Sequence, residues 1–363
     1  MARPILELSG VTKRYASTLG VGPIDFQVEK GEFLTLLGPS GCGKTTTLHI
    51  VAGLLFPNEG RVLLNGKDIT TLDPPHRDMG LVFQSYALFP HKTIFDNVAF
   101  GLRMRKVPRR EIAERVGRML ALVGLPGAAR RYPHQLSGGQ RQRVAVARAL
   151  VIEPTLLLFD EPLSNLDAVL RKRMRHELRQ IQQHLGITTI FVTHDQDEAF
   201  EMSDRVVLLN NGRVVQIGPA EELYDNPASR FAAEFIGEIN VIEASVVAAE
   251  GSSIVVEAEG GERFRALAGD CALQAGEQVG VMIRPERLDL TESPPADGQG
   301  ILTSVRKRVF SGDRIDFRLI SGNGLDLHCR KPSAPPYRDL QEGARIWVVP
   351  GACRVLPRNR QHA

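Results

Sequence analysis

The stretch 36–50, "LLGPSGCGKTTTLHI", decides the fold. An apolar run, "FLTLL", ends in a glycine-rich turn, and a helix-forming segment begins immediately after it. Gly38, Gly43, Lys44 and Thr45 complete the pattern G-x-x-x-x-G-K-[ST], with Gly41 as a further residue able to make a tight turn. In that setting backbone N–H groups and the helix start can surround a β-phosphate, Lys44 can reach the β and γ oxygens, and Thr45 can offer its hydroxyl to Mg²⁺. A non-binding glycine turn is the competing reading, but it leaves the strand before and the helix after unexplained.

Working outward, "LLLFDEP" at 156–162 is an apolar strand that delivers two acids at its end. Open α/β sheets bind ligands at the carboxyl ends of their strands. Asp160 is suited to ordering Mg²⁺, and Glu161 beside it to polarising an attacking water as general base. A third anchor is "LSGGQRQRVAVARAL" at 136–150, where Ser137, Gly138 and Gly139 precede an amphipathic helix. Such a helix start is a second anion site. An ordinary helix cap accounts for Ser137 and explains the glycine pair less well.

The segments around these anchors alternate strand and helix patterns: "IDFQVEKGEFLTLLG", "GRVLLNGKDI", "DMGLVFQ", then a mainly helical stretch at about 85–155, then "TTIFVTHD" after the amphipathic "AVLRKRMRHELRQIQQHLG". This predicts one nucleotide-binding α/β domain over 1–235 with an inserted helical subdomain. Beyond 235 the rhythm changes to short strand-like runs such as "SSIVVEAE", "EQVGVMIR" and "ARIWVVPG", divided by Gly, Asp, Asn and Pro. Residues 236–363 therefore read as a β-rich domain of small sheets or a partly open barrel.

The chain has 363 residues, 43% of them hydrophobic, enough for two or three cores. A net charge of +3, from 45 basic against 42 acidic residues, is no nucleic-acid-binding tail. The basic runs "RMRKVPRR" and "RKRMR" read as solvated faces, with phosphate or anionic lipid as the other partners they could meet. Cys42, Cys271, Cys329 and Cys353 lack metal-ligand or redox-pair spacing, which fits a reducing compartment without disulfides or zinc. Cys42 inside the turn raises a further expectation, that its oxidation or alkylation obstructs ATP unless the thiol is packed away. The first residues lack the apolar core of a signal peptide, and no run reaches the ~18–20 apolar residues of a membrane span.

"GPSGCGKTT", "LSGGQ", "LLLFDEP", "SNLD" and "VTHD" occur in the order found in the ATPase subunits of ABC transporters, which the chain resembles over about residues 4–235. The resemblance implies an α/β, RecA-like P-loop core with an inserted helical subdomain, followed by an OB-like, TOBE-type regulatory domain. It implies ATP and Mg²⁺, and a head-to-tail pair of copies. The loop of one copy, including Pro39, Ser40, Cys42 and Thr46 with the residues above, faces Ser137 to Gln140 of the other. Tyr15 resembles the aromatic that stacks on adenine. Gln84 resembles the residue that contacts Mg²⁺ and water and links the core to the helical subdomain, and the segment after it is the candidate permease contact. His194 resembles the residue beside the γ-phosphate, a positioning and electrostatic partner to Glu161, and Asp167 in "SNLD" is its matching acid across the pair.

"RFAAEFIGEINVIEA" and "VMIRPERLDL" resemble import ATPases with the TOBE-type extension, and "FIGEIN" points nearest to the spermidine or putrescine group. Ferric-iron, phosphonate, sulfate and sugar importers use similar chains. The implied partners are a transmembrane permease and an external solute-binding protein, with the ATPase peripheral on the cytoplasmic face of a bacterial inner membrane. A soluble ABC ATPase that remodels nucleic acid or ribosomes is the reading from a different class, but no long coiled-coil insertion or tandem ATPase half is present.

Overall fold

The computed structural model describes residues 4–15, 18–251, 253–269, 273–295 and 300–356. The chain divides into two compact units, one ending at Glu222 and the other beginning at Leu223.

In the first unit the strands are β1 (Leu6–Tyr15), β2 (Thr18–Val28), β3 (Phe33–Leu37), β4 (Glu59–Leu64), β5 (Lys67–Asp68), β6 (Met79–Val82), β7 (Leu156–Asp160), β8 (Thr188–Thr193), β9 (Arg205–Asn210) and β10 (Arg213–Gly218). The helices are α1 (Lys44–Ala52), α2 (Ile94–Met104), α3 (Arg109–Leu122), α4 (Gly138–Leu150), α5 (Ala168–Leu185) and α6 (Gln196–Met202). A six-stranded sheet runs β10-β9-β3-β8-β7-β6, parallel except for the antiparallel β10, and a four-stranded antiparallel sheet runs β2-β1-β4-β5. Because β3 and β8 are covered on both faces, all their residues are buried, which is why they read as unbroken apolar runs with threonines.

The pairing Leu37 to Thr193 and Asp160 to Val192 brings the carboxyl ends of β3, β7 and β8 to one edge, where the candidate site lies. α1 leaves that edge and stops at Gly53, whose left-handed φ of 78° closes the helix. A Cβ there would stand 2.5 Å from the Arg77 Nε atom. Arg77 is fully buried and donates to the carbonyls of Ile50, Val51, Leu72 and Thr70 at 2.7 to 3.0 Å, so it fixes the far end of α1. The helical subdomain appears as α2, α3 and α4, packed through Val98, Leu102, Val116, Leu120 and Val144.

The second unit opens with the end of α7 (Ala220–Asp225), followed by α8 (Arg230–Ile236). Its strands are β11 (Asn240–Glu250), β12 (Ser253–Ala258), β13 (Arg263–Leu267), β14 (Gln278–Ile283), β15 (Leu288–Thr291), β16 (Ile301–Phe310), β17 (Arg314–Ser321), β18 (Asp326–Pro332), β19 (Arg345–Pro350) and β20 (Arg354–Val355). They form a closed barrel, β11-β12-β13-β20-β14, and a five-stranded sheet, β15-β19-β16-β17-β18. The two share one apolar cluster that includes Val256, Phe264, Val281, Phe317 and Leu327. Buried Arg284 lies over the Tyr224 ring at 4.0 Å and donates to the carbonyls of Tyr224, Ala233 and Glu238. The residues just before the barrel thereby belong to its unit.

The basic runs are not bare faces. Arg103 pairs with Asp96, Arg105 with Asp78, Arg171 with Asp195 and Arg173 with Glu177. Arg175, read as part of a solvated run, is buried beside Glu201, because its α5 position faces α6. Among the described residues no helix is long and apolar enough to cross a membrane. Cys42, Cys329 and Cys353 are buried free thiols, and Cys271 lies outside the described residues.

Candidate functional site

The loop after β3 is shaped by glycines at two tight points. At Gly38, φ is 155° and a Cβ would stand 2.3 Å from the Leu209 carbonyl oxygen. At Gly43, φ is 103° and a Cβ would stand 2.2 Å from a Val21 methyl. No side chain fits either place, so the glycine spacing is a steric requirement of the turn. Lys44 is only 5% exposed, and its ammonium donates to the Gly38 and Pro39 carbonyls at 2.8 and 2.9 Å. Buried and held by the loop it serves, it is a fixed positive charge at the start of α1.

Of the two alternatives for Cys42, the thiol takes the packed one. Its thiol packs into the apolar cluster with Leu34, Leu36 and Leu48, and burial pushes its pKa up over the lowering influence of Lys44. Its backbone lines the loop, donating to Pro39 and accepting from Gly212, and its Sγ lies 4.0 Å from Lys44 Nζ.

Thr45 Oγ1 donates to Asp160 Oδ1 at 3.0 Å, and His49 Nε2, one turn along α1, lies 3.5 Å from Asp160 Oδ2. A hydroxyl and a carboxylate joined at the end of β7 form a hard-oxygen donor set, which fits Mg²⁺. Glu161 follows in left-handed conformation, φ 43°, unusual for a residue with a side chain. It is held there by its N–H on the Val192 carbonyl at 3.1 Å and by Ser164 Oγ on its own carbonyl at 2.9 Å. Such a conformation costs about 1–3 kcal/mol and persists where the surroundings impose it. The turn aims Glu161 Oε2 at His194 Nδ1, 3.2 Å away, with the imidazole 54% exposed.

Gln84 reaches this group indirectly. Its Nε2 donates to Ser164 Oγ at 3.1 Å, and Asn165 Nδ2 donates to the Gln84 carbonyl at 2.9 Å. Ser164 and Asn165 are the connectors that the sequence reading did not single out, although both sit in the quoted "SNLD". Asp167, the last residue of that tetrapeptide, caps α5 by accepting from the Leu170 N–H at 3.0 Å. Within one chain it serves the helix.

Tyr15 is 48% exposed at the end of β1, and its ring covers Gly20, where a Cβ would meet it at 2.6 Å. The Gly20 carbonyl borders Gly43, so an exposed aromatic face stands beside the glycine loop. At the start of α4, Ser137 Oγ accepts from the Gln140 N–H at 3.4 Å while Gln140 Oε1 accepts from the Ser137 N–H at 3.1 Å. This reciprocal capping box is local structure. The glycine pair has a packing cause as well: a Cβ on Gly139 would press on Leu170 at 3.1 Å.

Behind the site Thr193 Oγ1 donates to Glu198 at 2.6 Å, and Arg171 stands 3.8 Å from the same carboxylate. Burial pushes the Glu198 pKa above the ordinary carboxyl value, against the lowering by Thr193 and the arginines. A raised folded-state pKa means that the native chain holds this proton more tightly than the unfolded chain does. The stabilisation is complete below the unfolded value and fades as pH rises through the folded one. Glu198→Gln keeps an acceptor for Thr193, so its Tm relative to the parent is expected to improve from about pH 4 to about pH 8. A difference independent of pH would contradict this assignment.

Comparison with known proteins agrees with this geometry. The ABC transporter family model matches residues 21–164 and the TOBE domain model residues 281–356. The chain is 46% identical over 349 residues to the spermidine/putrescine import ATP-binding protein PotA of Hahella chejuensis, covering 95% of each chain. It is 50% identical over 338 residues to PotA 1 of Pseudomonas aeruginosa, covering 92% of this chain and 90% of that one. It is 47% identical over 358 residues to PotA of Rubrobacter xylanophilus, covering 98% and 94%. Among solved structures, cbiO1 of Clostridium perfringens, part of the ABC transporter complex cbiONQ, is 32% identical with a TM-score of 0.58, over 65% of this chain and 93% of that one. The phosphate loop, the acids at the end of β7 and the β-rich second unit thus have one origin: the chain belongs to the ABC transporter ATPases that carry a TOBE domain.

Proposed function

We propose that this chain hydrolyses ATP to power import of spermidine or putrescine through a separate transmembrane permease. The observation that carries the cargo is the near full-length likeness, at 46 to 50% identity, to proteins named for that import. In this reading the chain works as a pair of copies on the cytoplasmic face of the membrane, fed by an external solute-binding protein.

The residues divide the work as follows. The loop N–H groups from Ser40 to Thr46 and the Lys44 ammonium bind the β and γ phosphates, and Tyr15 stacks on the adenine. Thr45, Asp160 and Gln84 are the residues that hold Mg²⁺, which when bound neutralises charge on the transferring phosphoryl group. Glu161 takes a proton from water as the water oxygen bonds to the γ-phosphorus; the bridging P–O bond breaks, and ADP leaves with its electron pair. His194 orients the Glu161 carboxylate, which the left-handed turn points at it. Gln84 reports on this centre through Ser164. Ser137, Gly138, Gly139 and Gln140 cover the γ-phosphate of the other copy, whose Asp167 faces His194.

The test is ATP turnover by the chain joined to its native permease, titrated with the solute-binding protein loaded in turn with spermidine, putrescine, ferric iron, sulfate, a phosphonate and sugar. Acceleration only by spermidine or putrescine is the expected result. Acceleration by another cargo would keep the hydrolytic mechanism and overturn the substrate.

A further inference from the structure

Immediately after Gln84 the backbone does something its sequence does not favour. Tyr86 and Ala87 are consecutive left-handed residues, φ 61° and 46°, and neither is glycine. The Tyr86 hydroxyl is also buried without a hydrogen-bond partner, as are both amide atoms of Gln142 on α4. A segment with two disfavoured conformations and a stranded hydroxyl is held by its neighbours, not by its own preference.

The holder is identifiable. Arg148, on the last turn of α4, donates from Nη1 to the Ala87 carbonyl at 2.7 Å and from Nη2 to the Tyr86 carbonyl at 2.9 Å. Its guanidinium lies 5.9 Å from the centre of the Phe89 ring, on which Lys92 also rests at 5.3 Å. A cation in a last helical turn usually serves that helix's own carbonyls. This one spends its planar fork on a different segment.

We propose that Arg148 is a positioning residue for hydrolysis, a latch that makes the segment after Gln84 move with α4. At its other end the segment is tied to the catalytic side, through Gln84 to Ser164 and through Asn165 to the Gln84 carbonyl. Ser164 in turn holds the Glu161 carbonyl. The two anchors are two residues apart, and two residues span about 7 Å at most. α4 therefore cannot shift far without pulling Gln84 or breaking one anchor. Since α4 is capped by Ser137, the same helix joins the second anion turn to the group around Glu161. The latch makes that join mechanical.

The inference rests on the proposed role of Gln84, and the experiment separates the two. Turnover of the chain with its permease is measured for Gln84→Ala, Arg148→Met, Arg148→Lys and the Gln84→Ala/Arg148→Lys double variant. Each Arg148 variant is expected to lower kcat by about 10- to 100-fold, as misplacement of reacting groups does. KM for ATP should stay within about twofold. The double variant should be no slower than the slower single one. Hydrogen exchange in Arg148→Lys should quicken for the amides of residues 85–89 while those within α4 keep their protection, a pattern that general loosening would not give. Should Arg148→Met not fold, Arg148→Lys, which keeps the charge but offers one donor nitrogen in place of the fork, carries the test. Unchanged kcat in the Arg148 variants beside a slowed Gln84→Ala, or effects that multiply in the double variant, would overturn the latch alone. Parental turnover in Gln84→Ala would overturn the Gln84 reading and the latch with it.

Discussion

Glu161→Gln is expected to bind ATP as the parent does and to hydrolyse it about 10²- to 10⁴-fold more slowly, the usual worth of a general base. Glu161 sits at the carboxyl end of β7 in a left-handed turn, its carbonyl held by Ser164 and its carboxylate 3.2 Å from His194. The amide keeps that shape and one oxygen but cannot take a proton from water at neutral pH. Steady-state phosphate release with parallel nucleotide titration measures both quantities. Parental turnover would remove Glu161 from the role, and lost binding would make the residue structural.

Lys44→Ala is expected to fail earlier, at binding. The ammonium is buried, fixed by the Gly38 and Pro39 carbonyls, and aligned with the start of α1. Removing one partner of a buried, hydrogen-bonded charge pair costs about 2–5 kcal/mol. That is roughly 30- to 5,000-fold in Kd for ATP. Nucleotide affinity by calorimetry, with Tm as the check on folding, measures it. Near-parental affinity in a folded variant would show that the loop backbone alone carries the phosphates.

The loop and the β7 acids arise from different local rules, and the sequence carries those rules unequally. The loop was fully legible. Glycines that only a cramped turn requires, a lysine and a threonine at fixed spacing leave one geometry. The acids at the end of β7 were legible for the same reason, since an all-apolar strand ending in two acids has few uses. The Ser164 and Asn165 connection to Gln84 was less so. It joins residues about 80 positions apart, and nothing local marks which polar residue of a turn will meet a distant strand end. The glycine pair 138–139 was read only as an anion turn because its packing against Leu170 depends on where α5 lies. Arg175 looked solvated for a similar reason. A run of basic residues hides which one faces α6.

The second unit was visible as a rhythm of short strands and through its resemblance to a TOBE-type extension. Its closure into a barrel needs β20, two residues long, to pair with both β13 and β14. No periodicity reveals a strand of that length.

In the proposed reading, one chain carries two halves of different ATP sites, a loop around Lys44 and a cap at Ser137, which a second copy completes. The measurement that tests it most directly is the solution mass of Glu161→Gln by light scattering, with and without Mg-ATP, beside Gly138→Ala in the same background. The mass is expected to double with ATP and fall back when ATP is removed, with Gly138→Ala weakening the doubling while leaving ATP affinity intact. A mass that stays at one chain under saturating ATP would contradict it.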